Sequence, residues 1–165
     1  FKRFERELKS GNANETVKAW QKDLAQFEGQ SIKDMAENVN RLMNEKRYIG
    51  DNKNWGQSDY WATPIEFLKR GGDCEDFAIA KYTALRMLGV PEKRMRIAIV
   101  HDNHKNIPHA VLIVYSNQGT HVLDNQNKRM IDGDRLARYR PIFSINRTAW
   151  WLHTAPTTTL VASAR

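Results

Sequence analysis

One side chain in this 165-residue sequence can act as a thiolate nucleophile, and it is the single cysteine, Cys74, in the run Gly71-Gly72-Asp73-Cys74-Glu75-Asp76-Phe77-Ala78. Asp73 has the type and place of a helix N-cap, which sets Cys74 in the first turn of the helix that follows. There the positive end of the helix dipole and unpaired backbone N–H groups favour the thiolate, the form that attacks. Asp73, Glu75 and Asp76 act in the opposite sense, because their negative charge raises a neighbouring thiol's pKa. A cationic histidine or a bound metal is therefore expected beside them. Helix position alone leaves two readings open, a pre-activated nucleophile and an inert buried thiol.

A nucleophile of this kind needs a base, and there are five histidines to supply it. Ser116-Asn117-Gln118-Gly119 is a turn signal between two apolar runs. A two-residue loop at Asn117-Gln118 pairs Ser116 with Gly119 and carries Val111 opposite Asp124. Side chains alternate along a strand, so His109 and Asp124 then share a face as diagonal neighbours within reach of an imidazole–carboxylate contact. Cys74, His109 and Asp124 thus follow the chain order nucleophile, base, orienting carboxylate. The plainer alternative is that His109 only opens a strand and Asp124-Asn125 only opens a turn. His101 and His104 read as residues of a polar loop, His121 alternates to the opposite hairpin face, and His153 lies near the end of the chain.

The elements that must position these groups are legible from periodicity. Asn14 can cap a helix with the stripe Val17, Trp20, Leu24 and Phe27, ended by Gly29. Ser31 with Asp34 opens a second, with Met35, Val39, Leu42 and Met43 on one face and a stop near Gly50. A polar loop carrying Trp55 and Trp61 is expected from Asp51 to Trp61. Thr63-Pro64-Ile65-Glu66 then starts a short helix that Gly71-Gly72 terminates. The helix capped by Asp73 carries Phe77, Ala80, Ala84 and Leu88 and stops at Gly89 and Pro91. From Met95 the period becomes that of strands: Arg96 to Val100, His109 to Tyr115, Thr120 to Leu123, and Ile142 to Ile145 as a fourth. Trp150-Trp151 should pack back on the body, and Thr157 to Arg165 reads as a frayed tail. Helices first and strands second is the order of an α+β fold, and the length suits a single domain over residues 1–165.

Composition narrows the classes further. With 41% hydrophobic residues, the chain falls in the range of soluble globular domains. Its longest apolar runs, Ile97 to Val100 and Ala110 to Tyr115, are far short of the roughly 20 residues of a membrane span. One cysteine excludes an internal disulfide and a multi-cysteine zinc site. The formal charge of +7 is spread in short pairs such as Lys69-Arg70 and Lys93-Arg94, with no nucleic-acid recognition motif beside them. That pattern reads as a solvated basic surface suited to an acidic protein rather than to nucleic acid. The first residue is Phe1, so the sequence reads as a processed or trimmed chain whose export signal would precede it.

Several runs together resemble the bacterial transglutaminase-like cysteine proteinases, in their LapG-type periplasmic branch. They are Tyr60-Trp61-Ala62-Thr63-Pro64-Ile65-Glu66-Phe67-Leu68, the run around Cys74, His109-Ala110-Val111-Leu112 and Val122-Leu123-Asp124-Asn125, followed by Pro141 to Asn146. The resemblance implies a papain/transglutaminase-like core, with N-terminal helices on an antiparallel sheet and the nucleophile at a helix N-terminus. In it Cys74 is the nucleophile, His109 the general base and Asp124 the orienting group. It also implies a calcium ion beside the nucleophile, with Asp73 and Glu75 as ligands and Asp76 or the Asp51 to Asp59 stretch as further sources. An oxyanion donor is expected from the Cys74 backbone N–H, with Tyr60 or Trp61 as a second.

The activity so implied is a periplasmic, calcium-dependent cysteine endopeptidase. Its substrate would be the N-terminal region of a large biofilm adhesin, cut at a small-residue site such as a pair of alanines. Its implied regulator is the periplasmic domain of an inner-membrane cyclic-di-GMP receptor of the LapD type, which sequesters the protease while nucleotide is bound. Two alternatives share the same residues: a transglutaminase-type acyl transferase, in which an amine replaces water, and a non-catalytic binding module of this fold.

Overall fold

The computed structural model describes residues 1–11, 14–57, 59–133 and 137–153. Six helices come first: α1 (Lys2–Ser10), α2 (Asn14–Ala25), α3 (Ile32–Met43), α4 (Asp51–Trp55), α5 (Pro64–Arg70) and α6 (Cys74–Met87). After a single 3-10 turn the strands follow: β1 (Met95–Asp102), β2 (Ile107–Ser116), β3 (Gly119–Leu123), β4 (Ile131–Asp132), β5 (Tyr139–Ile145) and β6 (Trp150–Leu152). They form one antiparallel sheet in the order β4-β3-β2-β1-β5-β6. The α+β architecture with helices laid on an antiparallel sheet is the one the sequence implies.

Helix starts follow local chemistry. The Ser31 hydroxyl accepts the Asp34 N–H at 3.1 Å. At α5, Thr63 Oγ1 accepts the Glu66 N–H at 3.2 Å while Glu66 Oε1 accepts the Thr63 N–H at 3.0 Å, with Pro64 in the first helical position. In the β2–β3 hairpin Ser116 faces Gly119 and Leu112 faces Leu123, the register a two-residue loop imposes.

Two expectations are corrected, and one helix, α1, had not been expected. The stretch from Asp51 was expected as a loop, yet Asp51–Trp55 is a helical turn, because distant groups hold it. Asn54 Nδ2 donates to the Gly71 carbonyl at 3.2 Å, and Arg70 donates to the Asn54 carbonyl with its guanidinium 4.1 Å from the Trp55 ring centre. His101 lies in β1 rather than in a loop, since β1 runs on to Asp102. α1 has no buried residue to give it a periodic signal; it is held by Arg3 on the Trp61 carbonyl and by an Arg147–Glu5 ion pair of 2.8 Å. Trp151 packs back as expected, 3.5 Å beneath the Arg96 guanidinium, while Trp150 stays exposed. The Thr157 to Arg165 tail lies outside the described residues.

The main core forms where one face of the sheet meets the helices. Met95, Ile97, Leu112, Val114 and Leu123 pack with Val39 and Met43 of α3, Phe67 of α5, and Phe77, Ala84 and Leu85 of α6. Ala98, Val100, Val111, Ile113, Val122 and Tyr139 form a second buried cluster on the opposite face. Burial on both faces explains why β1 and β2 read as nearly continuous apolar runs rather than as alternating ones. Among the described residues no helix is long and apolar enough to cross a membrane.

Phe67 and Phe77 meet edge to face, ring centres 4.7 Å apart, and Phe67 is fully buried. This contact locks α5 to α6, and hence the turn between them. Phe67→Ala is expected to cost about 3–5 kcal/mol through cavity formation, read as a lowered urea midpoint with an unchanged slope.

Candidate active site

Two glycines let the chain turn from α5 into α6 against a neighbouring backbone. Gly71 has φ +76°, and a Cβ there would lie 2.2 Å from the Arg47 carbonyl oxygen. A Cβ on Gly72 would lie 2.4 Å from Asp76 Oδ2. The Ile49 N–H donates to the Gly72 carbonyl at 2.9 Å and the Gly72 N–H to the Arg47 carbonyl at 3.2 Å, which fixes the stretch after α3 beside the start of α6. Asp73 is the N-cap and Cys74 the first helical residue, as their types require.

Cys74 is half-buried, its Sγ 3.3 Å from Glu75 Oε2. Burial first, and then the Glu75 carboxylate, push the thiol well up; an N–H from Ala110, the residue after His109, opposes them. The acidic run therefore acts on the thiol in the direction its charge dictates.

His109 and Asp124 are both buried, and His109 Nε2 lies 2.8 Å from Asp124 Oδ1. The β2–β3 ladder ends at Leu112 and Leu123, so Asp124 stands one residue past the last pair, at the end of the sheet where His109 also lies. Asp124 is richly supplied with donors: the Gln126 N–H reaches Oδ1 at 3.0 Å, and Asn127 Nδ2 and the Tyr139 hydroxyl reach Oδ2. Burial alone would raise this carboxyl, but the hydrogen bonds from His109, Tyr139 and Gln126 outweigh it and hold Asp124 below the usual carboxylate range. With Nε2 committed to Asp124, Nδ1 is the nitrogen of His109 left to exchange a proton.

Tyr139 had no signal in the sequence. It comes from β5, and its ring centre lies 5.4 Å from that of His109. Its placement follows from pairing with β1 across an irregularity between Ile99 and Val100, which no local pattern announces. Among the described residues no ring of the other four histidines is hydrogen-bonded to a carboxylate: His101 meets Asn106, His121 meets Ser116, His153 meets Ser144, and His104 reaches Asp102 only through its backbone N–H.

A second group of carboxylates gathers around the turn that carries Cys74. Oxygens of Asp51, Asp73 and Asp76 all lie within 4.8 Å of one another. Asp76 accepts the Ala62 N–H at 2.7 Å and the Asp73 N–H at 3.0 Å. Asp51 Oδ1 and Asp73 Oδ1 are buried with no hydrogen-bond partner among the described residues. Burial, then Glu75 and the other acids, push Asp73 up to about 10; burial likewise pushes Asp76 up to about 6 and raises Asp51. Crowded carboxylates with two orphaned oxygens fit a hard divalent cation such as calcium, which takes oxygen ligands alone. Of the expected ligands Asp73 belongs to this group. Glu75 stands beside it, its carboxylate turned to Cys74 and hydrogen-bonded to Asp73. Asp51 and Asp76 complete it, Asp51 because α4 forms.

The Tyr60 hydroxyl donates to Glu66 Oε2 at 2.7 Å and the Trp61 carbonyl accepts from Arg3, while Trp55 and Arg3 flank the Tyr60 ring. The single proton of Tyr60 is thus spent on Glu66 rather than offered to a substrate carbonyl.

A comparison with proteins of curated function returns no match. Among solved structures, calcium-bound Legionella pneumophila LapG is similar with a TM-score of 0.76 and 26% identity, over 99% of this chain and 96% of that one. The EGTA-treated form of the same protein gives 0.76 and 29% identity over 93% of this chain and 86% of that one. A structure from Cytophaga hutchinsonii, 15% identical with a TM-score of 0.51 over 88% of this chain and 54% of that one, shares the fold alone. The model of the bacterial transglutaminase-like cysteine proteinases matches residues 2–154, and the chain belongs to that family.

Proposed function

We propose that this chain is a calcium-dependent cysteine endopeptidase with Cys74 as nucleophile, His109 as general base and Asp124 as the group that orients the imidazole. The observation that carries this reading is the buried His109–Asp124 pair at 2.8 Å, on the strand whose Ala110 N–H meets the Cys74 sulfur. Chemistry then proceeds by acyl transfer. His109 Nδ1 takes the thiol proton as Cys74 Sγ bonds to the scissile carbonyl carbon, and the carbonyl electrons move to the oxygen. The oxyanion is stabilised by the Cys74 backbone N–H, which has no acceptor within its own helix because it lies in the first turn. His109 returns its proton to the departing amine, leaving a thioester. It then takes a proton from water, which adds to the thioester, and it gives that proton to Cys74 as the acid product leaves.

Asp51, Asp73 and Asp76, with Glu75 beside them, would hold the calcium. Its charge would offset the negative field that raises the Cys74 thiol, and its ligation would fix the turn that carries Cys74. The calcium-bound state of Legionella pneumophila LapG supports this assignment.

Within the same reading the substrate is the N-terminal region of a large surface adhesin, cut at a small-residue site to release the adhesin and the biofilm it anchors. The location is periplasmic, and the periplasmic domain of a LapD-type cyclic-di-GMP receptor sequesters the enzyme. A formal charge of +7 is compatible with acidic protein partners.

With calcium, the wild type is expected to cut a recombinant adhesin N-terminal fragment, followed on a gel. Cys74→Ala and His109→Ala should each lose on the order of 10³-fold or more, and the double variant little beyond that, since the groups act as a unit. An uncut fragment with active wild type on other peptides would reject the adhesin as substrate; cutting by Cys74→Ala would reject the nucleophile.

Metal removal gives a separate test. Carboxyls raised in the folded state bind more protons there than in the unfolded chain, so their contribution to stability falls as pH rises through about 6 for Asp76 and onward for Asp73. In EGTA the melting temperature should therefore fall between about pH 5 and 8. Saturating calcium should flatten that slope and raise Tm most at the alkaline end, since the ligands bind only when deprotonated. Equal slopes with and without calcium, by scanning fluorimetry, would remove the metal from this site.

A further inference from the structure

α6 buries a charge that the proposed reaction does not use. Lys81 is 0% exposed, although a lysine is almost never fully buried unless paired. It follows Cys74, Phe77 and Ala78 at helical spacing, so it lies on the same face of α6 as the nucleophile and two turns further in. Its Nζ lies 5.7 Å from the centre of the Phe77 ring and has no hydrogen-bond partner among the described residues. Among the described residues, the one charge whose field reaches it is that of Asp124. No charged side chain of α3, α5, β1 or β2, the elements packed on α6, contributes there.

An isolated ammonium in a core costs several kcal/mol, and an apolar side chain of similar length would fill the space without that cost. Stability alone therefore does not account for Lys81. The electrostatics of the neighbouring site does. Asp124 is a fully buried carboxylate, and its direct donors, His109, Tyr139, Gln126 and Asn127, bring no permanent positive charge; the Arg138 guanidinium also feels its field, but is hydrogen-bonded to Asp102. A carboxylate in that position favours the protonated imidazole. An ammonium coupled to the same carboxylate opposes it and keeps His109 available as a neutral base.

We infer that Lys81 is the internal counter-ion of Asp124, a positioning residue that sets how readily His109 takes a proton. This rests on the reading of His109 and Asp124 as base and orienting group. Burial pushes Lys81 down to about 7, with the field of Asp124 opposing, so the counter-ion is present below that pH and is withdrawn above it.

The test follows the protonation of His109 by imidazole NMR in the full chain, with calcium saturating so that Asp51, Asp73 and Asp76 stay ionised. In Lys81→Met the His109 midpoint should move up by about one pH unit, and Lys81→Arg should restore it toward the wild-type value. Activity on the adhesin fragment should follow, with kcat/KM on the acid side falling about tenfold in Lys81→Met and recovering in Lys81→Arg. An unmoved His109 midpoint in folded Lys81→Met overturns the inference. Should that variant not fold, the lysine Cε resonances decide. One lysine of the wild type should titrate near 7 and move lower in Asp124→Asn, and a full set of ordinary lysine midpoints in both proteins overturns it equally. The two readings fail separately: cutting by His109→Ala would reject the catalytic assignment, while the NMR midpoints judge the Lys81–Asp124 coupling without any turnover.

Discussion

The carboxylate of Asp76, 1% exposed, takes one backbone N–H on each oxygen, from Ala62 on one side and from Asp73 on the other. Those two bonds join the segment that enters α5 to the first residue of the turn that opens α6. Gly72 can have no side chain because that carboxylate occupies the space, and Gly71 can have none because the Arg47 carbonyl does. The position of Cys74 depends on these close approaches, since it is the next residue along. The same carboxylate also lies within 4.8 Å of oxygens of Asp51 and Asp73, so the group that organises the turn is one of three crowded carboxylates. One side chain thus supports the turn and belongs to the carboxylate group proposed to hold calcium.

The two sets of carboxylates in the site are treated in opposite ways. Asp124 receives four hydrogen-bond donors and is held ionised, which suits a group that must keep an imidazole in one orientation. Asp73 and Asp51 each retain an orphaned buried oxygen, and with Asp76 they are raised by burial and by one another. The number of donors aimed at each carboxylate, rather than its depth, separates the two behaviours. A carboxylate that burial and neighbouring charge have made unfavourable binds a divalent ion or a proton; one that is already satisfied binds neither and can serve as a fixed charge.

α6 transmits both arrangements to the sheet. Its first turn carries Cys74 and Asp76, its next turns bury Phe77, Ala78 and Lys81, and β2 lies against it with His109 and Ala110 at the end nearest the cysteine. A helix N-terminus offers unpaired N–H groups, and the end of a strand offers side chains free of the ladder. Bringing the two ends together places donors, thiol and imidazole in one region while the apolar face of the helix remains buried.

Much of this was legible in local pattern. The capping pairs at Ser31 and Thr63, the Asp73 cap that sets Cys74 in a first turn, and the Asn117-Gln118 loop that brings His109 to Asp124 involve residues close in sequence or linked by one tight turn. Side-chain type and period determine such relations directly. What only the tertiary structure decided lies at longer range. α4 forms because Asn54 and Arg70 clamp it to another helix, and that turn delivers Asp51 to Asp73 and Asp76. Tyr139 reaches Asp124 because β5 pairs with β1 through an irregular register, and Lys81 is buried because α6 is covered by the sheet. A polar residue's type says which bonds it can make; which partner it meets across the fold is settled only when packing chooses the register and burial removes the competing water.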